Sequence, residues 1–320
     1  MKDYKKSVAV LLAAYEGERF LKGQIDSILR QKNSVDIDFR IIIGSDPSTD
    51  RTCEISDWYA KKYDNVHHLS YAEPSRGAKR NFSRLMEDAL STDSGYFALS
   101  DQDDVWDEDK IEKSFKTMQD IEHRVGKDTP VLIFSDSRVV EEDLTPIKDS
   151  FWHREKLNPD ACRNYKNLVF QNVGQGCTFF FNRKLLELAV PIPEEARMHD
   201  HWLMLVASVF GVVSYIKEPT MSYRQHMGNV VGSGGHGLLK AIGPFGSKLQ
   251  SIRASILASE KQAAVFLKIF SKKMNVDQRR FFEAVANIRR YSFIKRRMFL
   301  VRNRVRMSTI DRTIGLYLFL

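Results

Sequence analysis

Between Ser100 and Trp106 the chain places three carboxylates in four positions, Asp101, Asp103 and Asp104, directly after the apolar run Tyr96-Phe97-Ala98-Leu99. Like charges this close oppose one another by about 4 kcal/mol per pair at ~4 Å and an effective dielectric of ~20. A cation relieves that repulsion, and hard oxygen ligands suit Mg2+ or Mn2+ better than zinc. Magnesium held by carboxylates usually also takes a substrate phosphate as ligand. These residues therefore point to chemistry on a diphosphate. The same cluster also reads as a solvated turn before a helix, with Asp107 and Glu108 at the helix start where the dipole favours acids.

The elements that must hold this cluster alternate regularly. Apolar runs at Val8–Ala14, Phe39–Ile43, Val66–Tyr71 and Tyr96–Ser100 predict strands. Helical spacing of apolar residues predicts helices over about Glu18–Gln31, from Asp50 onward, and over Gly77–Leu90. Such βαβ alternation implies an α/β fold with a mostly parallel central sheet flanked by helices. Ligands of such sheets bind beyond the carboxyl ends of the strands, where Asp46 and Asp101–Asp104 fall. Further on, Val131–Phe134, Cys177–Phe181 and Val212–Ile216 read as strands, and Arg183–Ala189 and His201–Phe210 as helices. The Gly-rich Tyr223–Gly237 reads as a flexible loop or a boundary. This divides the chain into a catalytic domain over 1–235 and a basic helical region over 236–320.

Composition narrows the class. Cys53, Cys162 and Cys177 are too few and too scattered for a disulfide framework or a Cys-rich zinc site, and suit a reducing cytosol. The start of the chain reads as a first buried strand and not as a signal peptide. No apolar run is long enough to span a bilayer. The net charge of +8 is uneven: residues 236–320 hold 18 Lys+Arg and 4 Asp+Glu, leaving 31 and 37 for residues 1–235. An acidic body with a basic tail suggests two jobs.

Several short motifs occur in a fixed order: Ala14-Tyr15-Glu16-Gly17, Asp46-Pro47-Ser48-Thr49-Asp50, Leu99 to Trp106, Met198-His199-Asp200-His201-Trp202, and Tyr223-Arg224-Gln225-His226 followed by Asn229 and Gly232. In these residues, spanning about 8–235, the chain resembles family 2 glycosyltransferases of the GT-A nucleotide-diphospho-sugar transferase fold. Within them it is most similar to bacterial rhamnosyltransferases that build cell-surface polysaccharides. The resemblance implies an inverting, metal-dependent transfer of a sugar, L-rhamnose from dTDP-rhamnose, onto a surface polysaccharide or lipid-linked glycan.

It also implies roles. Ala14, Tyr15 and Glu16 fall in the donor-binding loop, and Asp46 lies where the family contacts the nucleotide base. Asp101 and Asp103 occupy the DxD positions that bind the ribose and the metal-diphosphate, and Asp104 is a further candidate ligand for Mg2+ or Mn2+. Asp200 stands at the catalytic base, and Trp202 is a candidate aromatic wall for the acceptor sugar. Arg80, Arg224 and His226 are candidates for the donor phosphates. Chemically, a carboxylate must take the proton of an acceptor hydroxyl as it attacks the anomeric carbon, and positive charge must offset the departing diphosphate.

Blander readings accompany each. Asp200 could cap the following helix, Trp202 could pack in the core, and His199 and His201 read as structural. Arg76, Lys79 and Arg80 could line a solvated helix face. Two departures from the family pattern stand out: the usual Asp-Asp-Gly-Ser reads Ser45-Asp46-Pro47-Ser48, which loses one acidic residue and puts Pro47, with φ locked at about −65°, where a residue free to take positive φ is usual, and Glu16 stands where Asn is more usual.

The tail interleaves Arg279, Arg280, Arg289, Arg290, Lys295, Arg296, Arg297, Arg302, Arg304 and Arg306 with apolar residues, as basic amphipathic helices at anionic membranes do. Gly315–Leu320 is expected to dip into lipid. The expected location is the cytoplasm, peripheral at the inner face of the cell membrane. Packing on the catalytic domain or on a second subunit of a homo-oligomer is the alternative. Nucleic acid is not an expected partner, because the body is acidic and carries no reader motif. Two rival functions remain: a sugar-phosphate nucleotidyltransferase, for which Ala14–Gly17 lacks the Gly-rich basic phosphate loop, and a non-catalytic membrane-associated glycan-binding scaffold, against which Asp101, Asp103 and Asp200 together argue.

Overall fold

A computed structural model describes residues 5–32, 37–226 and 245–320. Strand β1 (Lys5–Ala14) is buried along Val8–Leu12 on both faces, as a central parallel strand requires. Helix α1 (Leu21–Leu29) returns to β2 (Asp38–Ser45), α2 (Thr52–Lys62) to β3 (Val66–Ser70), and α3 (Ala78–Ala89) to β4 (Ser94–Ser100). The four strands pair in parallel in the order β3-β2-β1-β4. Ala14 of β1 is in register with Ser45 of β2, and Leu12 with Ser100 of β4. Three chain segments therefore leave the sheet at one edge, carrying Tyr15, Asp46 and Asp101.

The sheet continues through mixed pairings. After β5 (Val105–Trp106) and α4 (Lys110–Val125) come β6 (Val131–Val140), β7 (Pro146–Lys148), α5 (Phe151–Glu155) and α6 (Tyr165–Leu168). Strand β8 (Phe180–Asn182) leads through α7 (Arg183–Ala189) and α8 (His199–Phe210) to β9 (Val212–Arg224). The order runs β3-β2-β1-β4-β8-β6-β9-β5, with β7 beside β6. This is the GT-A architecture, a mixed α/β fold.

Several boundaries differ from the sequence reading: β8 begins only at Phe180, because Cys177 and Thr178 belong to a short turn before it, and two other strands run further than expected. Strand β6 runs on past Phe134 through polar residues, because Asp136 turns its carboxylate onto the backbone N–H groups of Ser137, Phe151 and Trp152 and so stays satisfied while buried. Strand β9 reaches Arg224, so Tyr223 and Arg224 belong to the sheet and not to a loop. The Gly-rich stretch beyond lies largely outside the described residues.

The C-terminal helices are α9 (Phe245–Phe270), α10 (Val276–Ala286), α11 (Phe293–Arg302) and α12 (Ile310–Phe319). They share the core of the first 226 residues. Phe266 of α9 is fully buried, stacks on Phe282 at 4.5 Å and meets the Trp202 ring edge-on at 5.2 Å. Arg197, just before α8, donates to Ser255 and Ser259 of α9 at 2.9 Å each. The tail thus braces the segment that carries Asp200. At its end, Leu316 and Leu320 are buried, so only part of Gly315–Leu320 faces outward.

Candidate active site

The loops leaving β1 and β2 lock one another. Glu16 takes a left-handed backbone (φ 47°), its N–H donates to Ser48 Oγ at 3.1 Å, and its carboxylate accepts the Thr49 N–H at 2.7 Å. The glutamate that departs from the family pattern therefore holds the turn that departs with it. Asp50 and Glu18 complete the lock, Asp50 accepting from Glu18 N–H at 2.9 Å and Glu18 from Arg51 N–H at 3.0 Å. Asp46 donates its N–H to the Ala14 carbonyl at 3.0 Å, and its nearly buried carboxylate is held by Ser75 N–H and Arg84, each at 3.1 Å.

The acidic turn after β4 is fastened to the β1 loop by a residue that sequence reasoning gave no role. Gln102 accepts from Tyr15 N–H and donates to its carbonyl, both at 2.8 Å. Gly17 leaves room for this clamp: a Cβ there would come within 2.2 Å of Gln102 Oε1 and push the amide aside. Tyr15 leaves its ring half exposed above this clamp.

The three aspartates separate into two directions. Asp103 Oδ2 pairs with His226 Nε2 at 2.7 Å, and the His226 ring lies 5.0 Å from that of Phe20. Asp101 and Asp104 face Cys177 instead, with one ligand atom of each of the three within 4.8 Å of the others. Asp104 is fully buried; Oδ1 accepts from Arg224 N–H at 3.2 Å, while Oδ2 has no partner. Burial and the neighbouring Asp103 and Asp200 charges push Asp101 up to about 7. Asp104 is driven up by burial and by Asp103 and Asp101. Lys110 sits buried nearby, its ammonium brought down to about 8 by burial. A divalent cation fits this donor set: it would satisfy the orphaned Asp104 oxygen and remove the repulsion that raises both carboxyls. The ligand-spaced cluster is thus Asp101, Asp104 and Cys177, where the sequence paired Asp103 with Asp104.

Asp200 lies in the first turn of α8, which begins at His199, two residues earlier than expected. Its carboxylate is no helix cap. It accepts from its neighbour His201 N–H at 2.6 Å, and the nearby Gly176 N–H and Asn172 side chain favour its charged form, yet burial still lifts it to about 6. Gly176 makes this approach possible, since a Cβ there would stand 3.3 Å from Asp200 Cβ and 2.9 Å from His199 Nε2. The short turn at Gly176–Thr178 thereby presents Gly176 to Asp200 and Cys177 to Asp101 and Asp104. Nothing in the spacing of Asn172, Gly176 or Cys177 marked them beforehand; only the fold brings them to this edge.

Other expected residues are placed differently. Trp202 is fully buried, donates Nε1 to the Ala189 carbonyl at 2.9 Å and packs on Phe266 and Phe270. It is a core residue, and the acceptor-wall expectation for it is corrected. Arg80 pairs with Glu194 at 3.0 Å on an exposed face. Arg224 spends its guanidinium on the main-chain carbonyls of Asp103, at 2.8 Å, and Glu142, so it fastens the acidic turn. His199 stacks on Phe82 at 4.2 Å and His201 bonds the Leu168 carbonyl; burial holds both neutral.

Comparison with known proteins bears on this site. The family model for glycosyl transferase family 2 matches residues 9–188. The chain is 28% identical over 231 residues to the dTDP-rhamnosyl transferase RfbG of Shigella flexneri, covering 69% of this chain and 74% of that one. Among solved structures it is similar to S. aureus TarS 1–349 in complex with UDP-GlcNAc, with a TM-score of 0.54 and 13% identity over 97% of this chain and 83% of that one. The UDP complex of the same TarS fragment gives 0.53, at 13% identity over 97% and 89%.

Proposed function

This chain belongs to glycosyl transferase family 2 and is a glycosyltransferase acting on a nucleotide sugar, and we propose that it inverts the anomeric centre of dTDP-rhamnose with Asp200 as base. The observation that carries this reading is Asp200 itself, half-buried, accepting from His201 N–H, and close enough to Asp101 for the two charges to interact. The acceptor hydroxyl loses its proton to Asp200 as its oxygen bonds to the anomeric carbon, and the bond from that carbon to the diphosphate breaks. A base and a leaving group on opposite sides of the carbon give inversion.

Asp101 and Asp104 would hold Mg2+ or Mn2+, while Asp103 pairs with His226. When bound, the cation supplies positive charge to the departing oxygens. His226 and Arg224 close the other side of the acidic turn. Asp46 and the Ala14–Glu16 loop stand at the edge where the nucleoside lies. The rhamnosyl donor is supported by the likeness to RfbG, and the acceptor is a surface polysaccharide or a lipid-linked glycan.

A panel of nucleotide sugars tests the donor. In the presence of Mn2+, dTDP-rhamnose at 100 times its Kd stabilises the fold by about 2.7 kcal/mol, visible as a raised melting temperature. The product anomer, read by NMR, is inverted relative to the donor. Stabilisation by another nucleotide sugar alone would replace the donor, and a retained anomer would remove Asp200 from its role.

A further inference from the structure

The last two helices expose apolar side chains in a regular pattern. On α11, Ile294, Met298 and Val301 recur at i, i+4 and i+7, opposite the fully buried Leu300. On α12, Ile310, Ile314 and Leu318 recur at i, i+4 and i+8, opposite the buried Leu316. Each of the six is more than half exposed, and Phe293 is exposed beside them. Fifteen large apolar side chains are exposed among the described residues, and these seven crowd into the final 28 positions. Scattered exposed apolar residues need no explanation, but a concentrated patch marks a contact surface.

The two rows belong to one unit. The Arg297 guanidinium lies 3.4 Å over the Phe293 ring of α11 and donates to the Leu318 carbonyl of α12 at 2.6 Å. Arg296 of α11 donates to the Leu320 carbonyl at the end of α12. Other contacts of this unit run inward: Lys166 reaches Asn303, just after α11, and Arg312 reaches the Glu155 carbonyl.

Charge identifies what covers this face. Residues 293–320 carry seven basic side chains and one acidic, and Lys295, Arg302, Arg304 and Arg306 are exposed. A second copy of the same face would set one strongly positive surface against another. We propose that α11 and α12 lie on an anionic lipid bilayer, with Ile294, Met298, Val301, Ile310, Ile314 and Leu318 in the acyl boundary and the basic side chains at the headgroups. Amphipathic helices with apolar and Lys/Arg-rich faces bind in this way, and the attraction weakens with salt. This surface is independent of the transfer chemistry, so either assignment can fail without the other.

Vesicle sedimentation of the full chain tests it. At 0.1 M salt the protein should sediment with vesicles of phosphatidylglycerol and phosphatidylcholine and stay in solution with phosphatidylcholine alone. The triple variant Ile294→Ser, Met298→Ser, Val301→Ser should partition at least tenfold more weakly with an unchanged melting temperature. Ile314→Ser with Leu318→Ser, on the other helix, repeats the test. Lys295→Gln, Arg302→Gln and Arg304→Gln should each cost about fivefold. No sedimentation of the folded wild type, or undiminished binding by both apolar variants, overturns the proposal. So does a concentration-dependent dimer that the triple variant abolishes, which would make a second copy the occupant.

Discussion

His226 Nε2 and Asp103 Oδ2 meet at 2.7 Å and join the end of β9 to the acidic turn after β4. The pair is only slightly exposed and turns Asp103 away from Asp101 and Asp104. His226→Ala should therefore weaken Mn2+-dependent binding of a nucleoside diphosphate by roughly tenfold, the worth of one charge-assisted hydrogen bond. The melting temperature should hardly change. Titration calorimetry checks it, and wild-type affinity would leave His226 a loop residue.

The raised carboxyl of Asp200 sets a pH dependence. With its ionisation near 6, the base is increasingly protonated, and so inactive, as pH falls through that value. Turnover at saturating donor should decline about tenfold for each pH unit below the transition. A profile that stays flat to pH 5 would contradict the assignment.

Asp101 carries the opposite consequence for stability. Its folded value of about 7 lies above an unfolded one near 3.9. Between these values the folded chain holds a proton that the unfolded chain has released, so its stabilising contribution is full below about pH 4 and is lost as pH rises through about 7. In chelator, Asp101→Asn should reduce that loss and raise the melting temperature at pH 8. Mn2+ should stabilise the wild type at pH 8 and the variant much less. A cation that leaves the wild-type melting temperature unmoved would count against the site.

Trp202 separates packing from recognition. It is sealed between α8 and α9, with Phe266 and Phe270 against its ring. Trp202→Ala should cost about 3–5 kcal/mol of stability. Trp202→Phe should lose less and keep the wild-type KM for acceptor. A raised KM in a stable Trp202→Phe variant would restore the acceptor-wall role.

What could be read beforehand follows from the range of the interactions. The four parallel strands were legible because each is a short apolar run, and strand ends in such sheets converge on one edge. Asp46, Asp101 and Asp200 could be picked out because their neighbours form recognisable local patterns. The set of groups around Asp200 could not, since Asn172 and Gly176 reach it only through a turn that has no periodicity. The burial of Trp202 depends on Phe266, 64 residues away, and no local pattern reports such a partner. The basic tail was legible as amphipathic, but its inward half is decided by Leu300, Leu316 and Leu320 packing into the shared core.

The central claim is that the Asp200 carboxylate takes the proton of the acceptor. Asp200→Asn keeps the size of the side chain and removes the base. Measured side by side, donor affinity in the presence of Mn2+ should remain within about threefold of the wild type, while transfer should fall on the order of 10²-fold or more. Transfer at the wild-type rate in a variant that binds donor normally would contradict the account.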